Sequence, residues 1–248
     1  MRALAFDLGG SSGKIFLGQI QGNRLLLEPV HSFSNTIVPF GEGLYWDFFR
    51  IRREMDAGIQ KAWSMGPVDS FGIDSFNNDF SMLSARGELL LPVRCYRDSR
   101  TQVYAGQIYQ IIPPRTLYNY TGNQLAPFNT FMQLAAMALA GQGSIFDAAQ
   151  TLLFLPDLLG FSITGERVAE YTVAAESQFL SPGSGKWLPQ VLAPFEIPAH
   201  ILPPVVQPGT CISQSTKAYC RVQGCKPFDF VSVCEHDTAS AFLGARCV

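Results

Sequence analysis

The stretch Phe6-Asp7-Leu8-Gly9-Gly10-Ser11-Ser12-Gly13-Lys14 decides how the rest of the chain is read. The apolar run Ala3 to Phe6 predicts a buried strand that delivers one carboxylate, Asp7, and then breaks into a Gly/Ser turn. The alternation Ile15, Leu17, Ile20 predicts a second strand directly after it. Glycines lack a Cβ, so the backbone N–H groups of such a turn can approach a phosphate, and a carboxylate beside it suits a metal–phosphate substrate. No helical period follows Lys14 and the GxxxxGK[ST] spacing is absent, so this is not the loop that leads a nucleotide onto a helix. The plain alternative is a tight hairpin with an edge aspartate.

Outward from that turn the pattern stays α/β. Strands are expected at 2–8, 14–20 and 24–33, then a helix capped by Asp47 and running to about Trp63, with Phe48, Ile51, Met55, Ile59 and Ala62 along one face. Gly66-Pro67 ends it. Val68–Ile73 and Phe80–Leu83 follow as strands, with a turn at Ala85-Arg86-Gly87. Beyond residue 100, helices are expected over Thr101–Ile111, Pro114–Tyr120, Thr130–Ala140, Pro156–Ile163 and Trp187–Leu192, with a short strand at Leu152–Leu155. The proline-rich run 194–211 reads as an extended surface connection. Phe228–Val233 is the last strand. It ends in Cys234-Glu235-His236-Asp237-Thr238-Ala239-Ser240-Ala241, where small residues and a capping Asp237 announce a helix. No internal repeat, low-complexity tract or linker divides the chain.

Composition excludes more than it assigns. With 248 residues, 47% hydrophobic and 15% charged, the chain can bury a full core. A net charge of −2 favours neither nucleic acid nor an anionic membrane as a partner. No apolar stretch reaches the length of a membrane span, and the N-terminal apolar run is too short for a signal peptide, so a cytoplasmic protein is expected. Four of the six cysteines (Cys95, Cys211, Cys220, Cys225, Cys234, Cys247) fall between 211 and 234, but there is no CxxC pair and only His236 is near. They read as scattered reduced thiols rather than a zinc site. His31 and His200 have no carboxylate partner in the sequence and receive no role; Trp46 and Trp63, flanking one helix, read as packing.

Three segments bring carboxylates to the ends of strands that can share one sheet: the opening turn, Gly72-Ile73-Asp74, and His236-Asp237-Thr238. Strand ends are where α/β proteins assemble their sites. Asp237 is a candidate general base and Asp7 a candidate for organising a cation. The alternative makes Asp237 only an N-cap.

The sequence resembles the sugar kinases of the FGGY family, and within it the rhamnulokinase-like branch. The matching residues run in order from end to end: Phe6-Asp7-Leu8-Gly9 through Gly13; Tyr45-Trp46-Asp47; Gly72-Ile73-Asp74 with Asp79; Tyr96-Arg97-Asp98 with Arg100-Thr101; Tyr118-Thr121-Gly122; Asn129-Thr130 with Gln133-Leu134; Leu155-Pro156-Asp157-Leu158-Leu159; Thr164-Gly165-Glu166; Pro203-Pro204-Val205-Val206 with Pro208-Gly209-Thr210; and His236-Asp237-Thr238-Ala239-Ser240-Ala241. The resemblance implies two ribonuclease-H-like lobes of the actin-like ATPase superfamily, each a mixed sheet with flanking helices, and substrates in the cleft between them. Residues 1–248 would be the N-terminal, sugar-binding lobe. By that likeness Asp237 takes the proton from a ketose hydroxyl as it attacks the γ-phosphate of ATP, and Gly10, Ser11, Ser12, Gly13 and Lys14 meet the phosphates. Asp7 would act through Mg²⁺ or its water. His236 and Thr238 would lie near the sugar, with Asp74, Phe76, Asn77 and Asp79 on the loop forming another wall. Arg97, Asp98 and Arg100 either reach the cleft or form a structural ion pair.

Three departures from the family pattern matter. Lys14 stands where the branch has arginine, which keeps the charge and loses the bidentate fork. Phe76-Asn77 replaces Trp-Gly on the sugar wall, which leaves the identity of the sugar open. Glu235 replaces a small residue before His236, and a carboxylate close to the base is expected to push one of the two pKa values up. The family would begin its second lobe after Asp237, so the C-terminal nucleotide-binding lobe is expected to be missing from this chain. The ending Gly244-Ala245-Arg246-Cys247-Val248 reads as a truncated product, a split gene or an incomplete reading frame, with an apolar interlobe face exposed. Two other readings stand beside a kinase: a catalytically silent sugar-binding or regulatory lobe, and a different actin-like ATPase.

Overall fold

A computed structural model describes residues 1–245, so Cys247 and the last three residues of the chain lie outside the described residues. Period-two alternation builds its first third. Strands β1 (Arg2–Leu8), β2 (Ser12–Gln21) and β3 (Arg24–Ser34) form an antiparallel meander. Leu4, Phe6 and Leu8 point to one face and are buried, while Ala3, Ala5 and Asp7 occupy the other. A hairpin not legible in the sequence follows, β4 (Ile37–Phe40) and β5 (Gly43–Trp46). Helix α1 (Phe48–Ser64) then starts at an Asp47 cap whose carboxylate accepts from Arg50 N at 3.1 Å. Its buried stripe of Phe48, Ile51, Met55, Ile59 and Ala62 covers the Leu4/Phe6/Leu8 face, each fully buried large side chain contributing about 1.5–3 kcal/mol.

The next strand, β6 (Ser70–Ser75), begins two residues later than the sequence predicts and runs parallel to β1. β7 (Phe80–Leu83) leaves the sheet to start a second layer. That layer holds α2 (Arg100–Ile111), α3 (Pro114–Thr121), α4 (Thr130–Leu139), α5 (Gly143–Ala148) and β8 (Thr151–Phe154), which pairs with β7. Helix α6 (Leu155–Thr164) returns to the main sheet. It is followed by β9 (Ala169–Glu170), α7 (Tyr171–Glu176), the small hairpin β10 (Leu180–Ser181) and β11 (Lys186–Trp187), and α8 (Pro189–Leu192). The helix expected from Trp187 therefore starts two residues later, because Trp187 pairs with Leu180 as a strand.

The expected extended connection at 194–211 is instead a folded segment. It contains two single-turn 3-10 helices, Ala193–Phe195 and Ala199–Ile201, and β12 (Val205–Val206), which pairs in parallel with β9. Fully buried Ile201 enters the second layer's core, which is what ties this run down. β13 (Cys211–Gln214), α9 (Lys217–Gln223), β14 (Asp229–Val231) and α10 (Asp237–Gly244) complete the chain. The main sheet is mixed, in the order β13-β14-β6-β1-β2-β3. Helices α1, α6 and α9 lie over its buried face, and two cores result: one beneath this sheet, one inside the second layer.

Candidate functional site

The site is built on the C-terminal ends of adjacent strands. In the parallel pair β1/β6, Asp7 stands opposite Asp74, so two carboxylates share one face at the strand spacing of about 4.8 Å. Beyond β14 the chain continues alongside β6: Ser75 N donates to Glu235 O at 2.8 Å, and Ser75 pairs with His236 in a parallel bridge. Helix α10 starts at the next residue. His236 is its N-cap and Asp237 its first helical residue, with a half-exposed carboxylate (41%) that accepts from Thr238 N at 2.6 Å and lies 3.6 Å from His236 Nε2. The N-cap role expected of Asp237 is thus displaced by one residue, to a position where the helix dipole still favours an anion.

Asp7 and Asp74 line one hollow together with Ser240 of α10, and Asp237 lies close enough to act on Asp74 by charge. Asp74 is pushed up to about 6, first by its own burial and next by the charge of Asp7, against a lowering influence of the nearby Ser240 hydroxyl; Asp237 adds a smaller like-charge effect. The opening turn lies at the same end of β1. Gly9 N donates to Ser12 O at 2.9 Å, which closes the turn and leaves the N–H groups of Gly10 and Ser11 without an acceptor among the described residues. Ser12 and Gly13 enter β2, and Lys14 is exposed opposite Asp7. Asp7, with Asp74 beside it, suits a cation held mostly by water and substrate oxygens, the way Mg²⁺ is commonly bound by one or two carboxylates. Among the described residues no group of three or more His, Cys, Asp or Glu side chains is arranged to hold a metal by itself.

An aromatic wall flanks the turn. Phe76, 7% exposed, stacks on Trp46 with ring centroids 4.7 Å apart and meets Tyr96 at 5.6 Å. Tyr96 and Arg97 reach the turn itself. A Cβ at Gly10 would stand 2.9 Å from the Tyr96 hydroxyl and 3.5 Å from Arg97 Nη2, so both side-chain ends come up to the turn and a larger residue would displace them. The Arg97 guanidinium also lies over the Tyr96 ring, 5.4 Å from its centroid. Tyr96 receives no role from the sequence, because its approach to Gly10 spans residues far apart in the chain.

One expected site residue, Asp79, lies elsewhere. Asp79 is 1% exposed, beneath the wall rather than on it. It accepts from Trp46 Nε1 at 2.5 Å and Tyr96 N at 3.1 Å, and burial nonetheless raises it to about 7. Asn77 is half-buried and accepts from Asn78 Nδ2 at 2.7 Å. Glu235, expected to press on Asp237, faces the interior: burial raises it, followed by the charges of Asp157 and Glu170. The extended backbone ends at His236 and the helix begins at Asp237, which turns the two carboxylates apart.

The arginine group divides. Arg97 faces the turn, whereas Asp98 is a buried strut that accepts from Leu44 N at 2.8 Å and Arg100 N at 2.9 Å and pairs with Arg94 and Arg100. Against the pull of its burial, those hydrogen bonds and charges hold Asp98 below the ordinary carboxylate range. His31, left without a partner by the sequence, meets Glu54 of α1 at 2.8 Å. No described helix is long and apolar enough to cross a membrane.

Carboxylates at strand ends beside a Gly/Ser turn, on a mixed sheet, make a candidate site for a phosphorylated ligand and its cation. Residues 3–244 match the FGGY family of carbohydrate kinases, N-terminal domain, and the chain belongs to that family. It is 35% identical over 248 residues to a rhamnulokinase from Yersinia pestis, covering 99% of this chain and 50% of that protein. A rhamnulokinase from Pectobacterium atrosepticum is 33% identical over 245 residues, covering 98% and 48%. The chain spans about half the length of the curated relatives it matches. The fold is that of a xylulose kinase from Lactobacillus acidophilus (TM-score 0.82, 18% identity, 93% of this chain and 48% of that one). It is also that of the Plasmodium falciparum glycerol kinase with ADP (TM-score 0.81, 15% identity, 98% and 50%).

Proposed function

We propose that this chain is the sugar-binding half of a cytoplasmic, ATP-dependent kinase for a ketose of the rhamnulose type, with Asp237 as general base. The observation that carries the reading is the half-exposed Asp237 carboxylate at the same strand ends as Asp7, Asp74 and the Gly/Ser turn. In this mechanism the ketose hydroxyl gives its proton to Asp237 while its oxygen bonds to the γ-phosphorus of ATP and the bond to ADP breaks. The free N–H groups of Gly10 and Ser11 receive phosphate oxygens, and Lys14 and Arg97 add positive charge beside them. Asp7 would hold Mg²⁺ through water, and the ion would supply positive charge to offset that of the phosphates. Phe76, Trp46 and Tyr96 shield the sugar side from water, and His236, Thr238 and Asn77 are the polar groups nearest to orient it.

On this reading the nucleotide is bound by the part of the rhamnulokinase relatives that this chain does not cover, so the test extends this chain with that part from such a relative. ATP-dependent phosphorylation across a panel of ketoses is expected, with turnover reduced by about 10²–10⁴ in Asp237→Asn and the sugar-induced thermal shift retained. Turnover at the parent rate in Asp237→Asn would end the assignment of the base. Sugar binding without turnover in the parent would establish the silent-lobe alternative.

A further inference from the structure

Behind Asp237 lies a polar cluster that the phosphoryl-transfer mechanism leaves unused. Asp157, Glu170 and Glu235 are 3%, 0% and 1% exposed and come from α6, β9 and the segment entering α10. Glu170 Oε2 accepts three donors: Thr172 Oγ1 at 2.5 Å, Val173 N at 3.1 Å and Glu235 N at 3.2 Å. Thr172 Oγ1 in turn accepts from His236 N at 3.1 Å. The amides of the two residues immediately before Asp237 are therefore both held by one side-chain pair at the start of α7.

The pair is itself anchored. Glu170 N donates to Asp157 Oδ1 at 3.0 Å, and Ser232 Oγ donates to Glu235 Oε1 at 3.3 Å. The second oxygen of each carboxyl has no partner among the described residues. Burial, foremost, raises both groups. From the other side Ser75 N, one residue past Asp74, holds Glu235 O at 2.8 Å. The peptide units on either side of Glu235 are thus gripped between β6 and α7.

Resting on the reading of Asp237 as base, we propose that Glu170 and Thr172 are the positioning residues of this site, fixing the direction in which Asp237 leaves the strand. Ordinary ladder bonds would hold the segment without specifying where the helix begins. Side-chain acceptors placed on two successive amides stop the extended backbone at His236, so Asp237 falls on the first helical position beside Asp74.

The test reads amide hydrogen exchange at Glu235 and His236 in this chain, with Thr172→Val (same shape, no hydroxyl), Thr172→Ser (hydroxyl restored) and Glu170→Gln. Exchange at His236 is expected to rise about five- to tenfold in Thr172→Val, the equivalent of one lost hydrogen bond, and to return in Thr172→Ser. Glu170→Gln is expected to speed exchange at Glu235. Amides of β1 and β6 should stay unchanged. In the extended enzyme kcat should fall by a similar factor in Thr172→Val, with KM for ATP unmoved, and recover in Thr172→Ser. Unchanged His236 exchange, equal acceleration throughout the sheet, or a kcat that Thr172→Ser fails to restore would overturn the proposal. An active Asp237→Asn variant would remove the base assignment alone, because the exchange result judges the clamp independently.

Discussion

Asp7, Asp74 and Asp237 stand at open strand ends, whereas Asp157, Glu170 and Glu235 lie one layer deeper on the far side of the same short segment, and Asp79 lies under the aromatic wall. The open set is held together by backbone register, with few protein donors and room for a ligand to supply the missing charge. In the buried set one oxygen of each carboxyl takes donors while the other has no partner among the described residues, and desolvation raises these groups. Asp7 and Asp237 face solvent, with Asp74 half-buried between the two sets.

The largest expected effect that would break this contrast is in stability against pH. Asp79 has a folded-state value of about 7 against an unfolded value near 3.8, so its contribution is full below pH 4 and drains away as pH rises toward 7. The loss has an upper bound of about 4 kcal/mol. Asp157 and Glu235 act in the same direction, while Asp98, held low, acts oppositely and only as pH falls below its unfolded value. Urea midpoints should decline from pH 4 to 7 in the parent and flatten in Asp79→Asn. A parent whose midpoint rises over that window would contradict the buried set's protonation.

Truncation should separate the sets next. Asp157→Ala leaves Glu170 N without its partner and is expected to cost about 1–3 kcal/mol in denaturant unfolding. Asp7→Ala, at an exposed position, should change stability by less than about 0.5 kcal/mol. Equal costs would erase the distinction. The smallest effect sharpens it: Asp74 should titrate near pH 6 by carboxyl NMR, and Asp7→Asn should lower that value only partway, since burial is the larger cause. A drop to the ordinary aspartate range would make charge, not burial, the dominant influence.

Much of the frame was legible because it is local. Alternation in 2–8, 14–20 and 24–33 specified the meander, and the Asp47 cap with its apolar stripe specified α1. The convergence of Asp7, Asp74 and Asp237 followed from three strand ends. What stayed hidden depends on partners distant in the chain. β9 and β12 are two residues each and exist only by pairing across residues 169–206. Asp79 carries no mark of burial until Trp46 and Tyr96 bring N–H groups to it. Glu235 and Asp237 share strand parity, and only the helix start at His236 turns them to opposite sides.

The aromatic wall has an optical consequence. The Trp46 indole is 2% exposed, in contact with the Phe76 ring on its face and bonded through its N–H to a carboxyl that gains or loses its proton near neutrality. Its share of the emission from the three tryptophans is expected to follow displacement of the Phe76 ring and the charge on Asp79 without any attached dye.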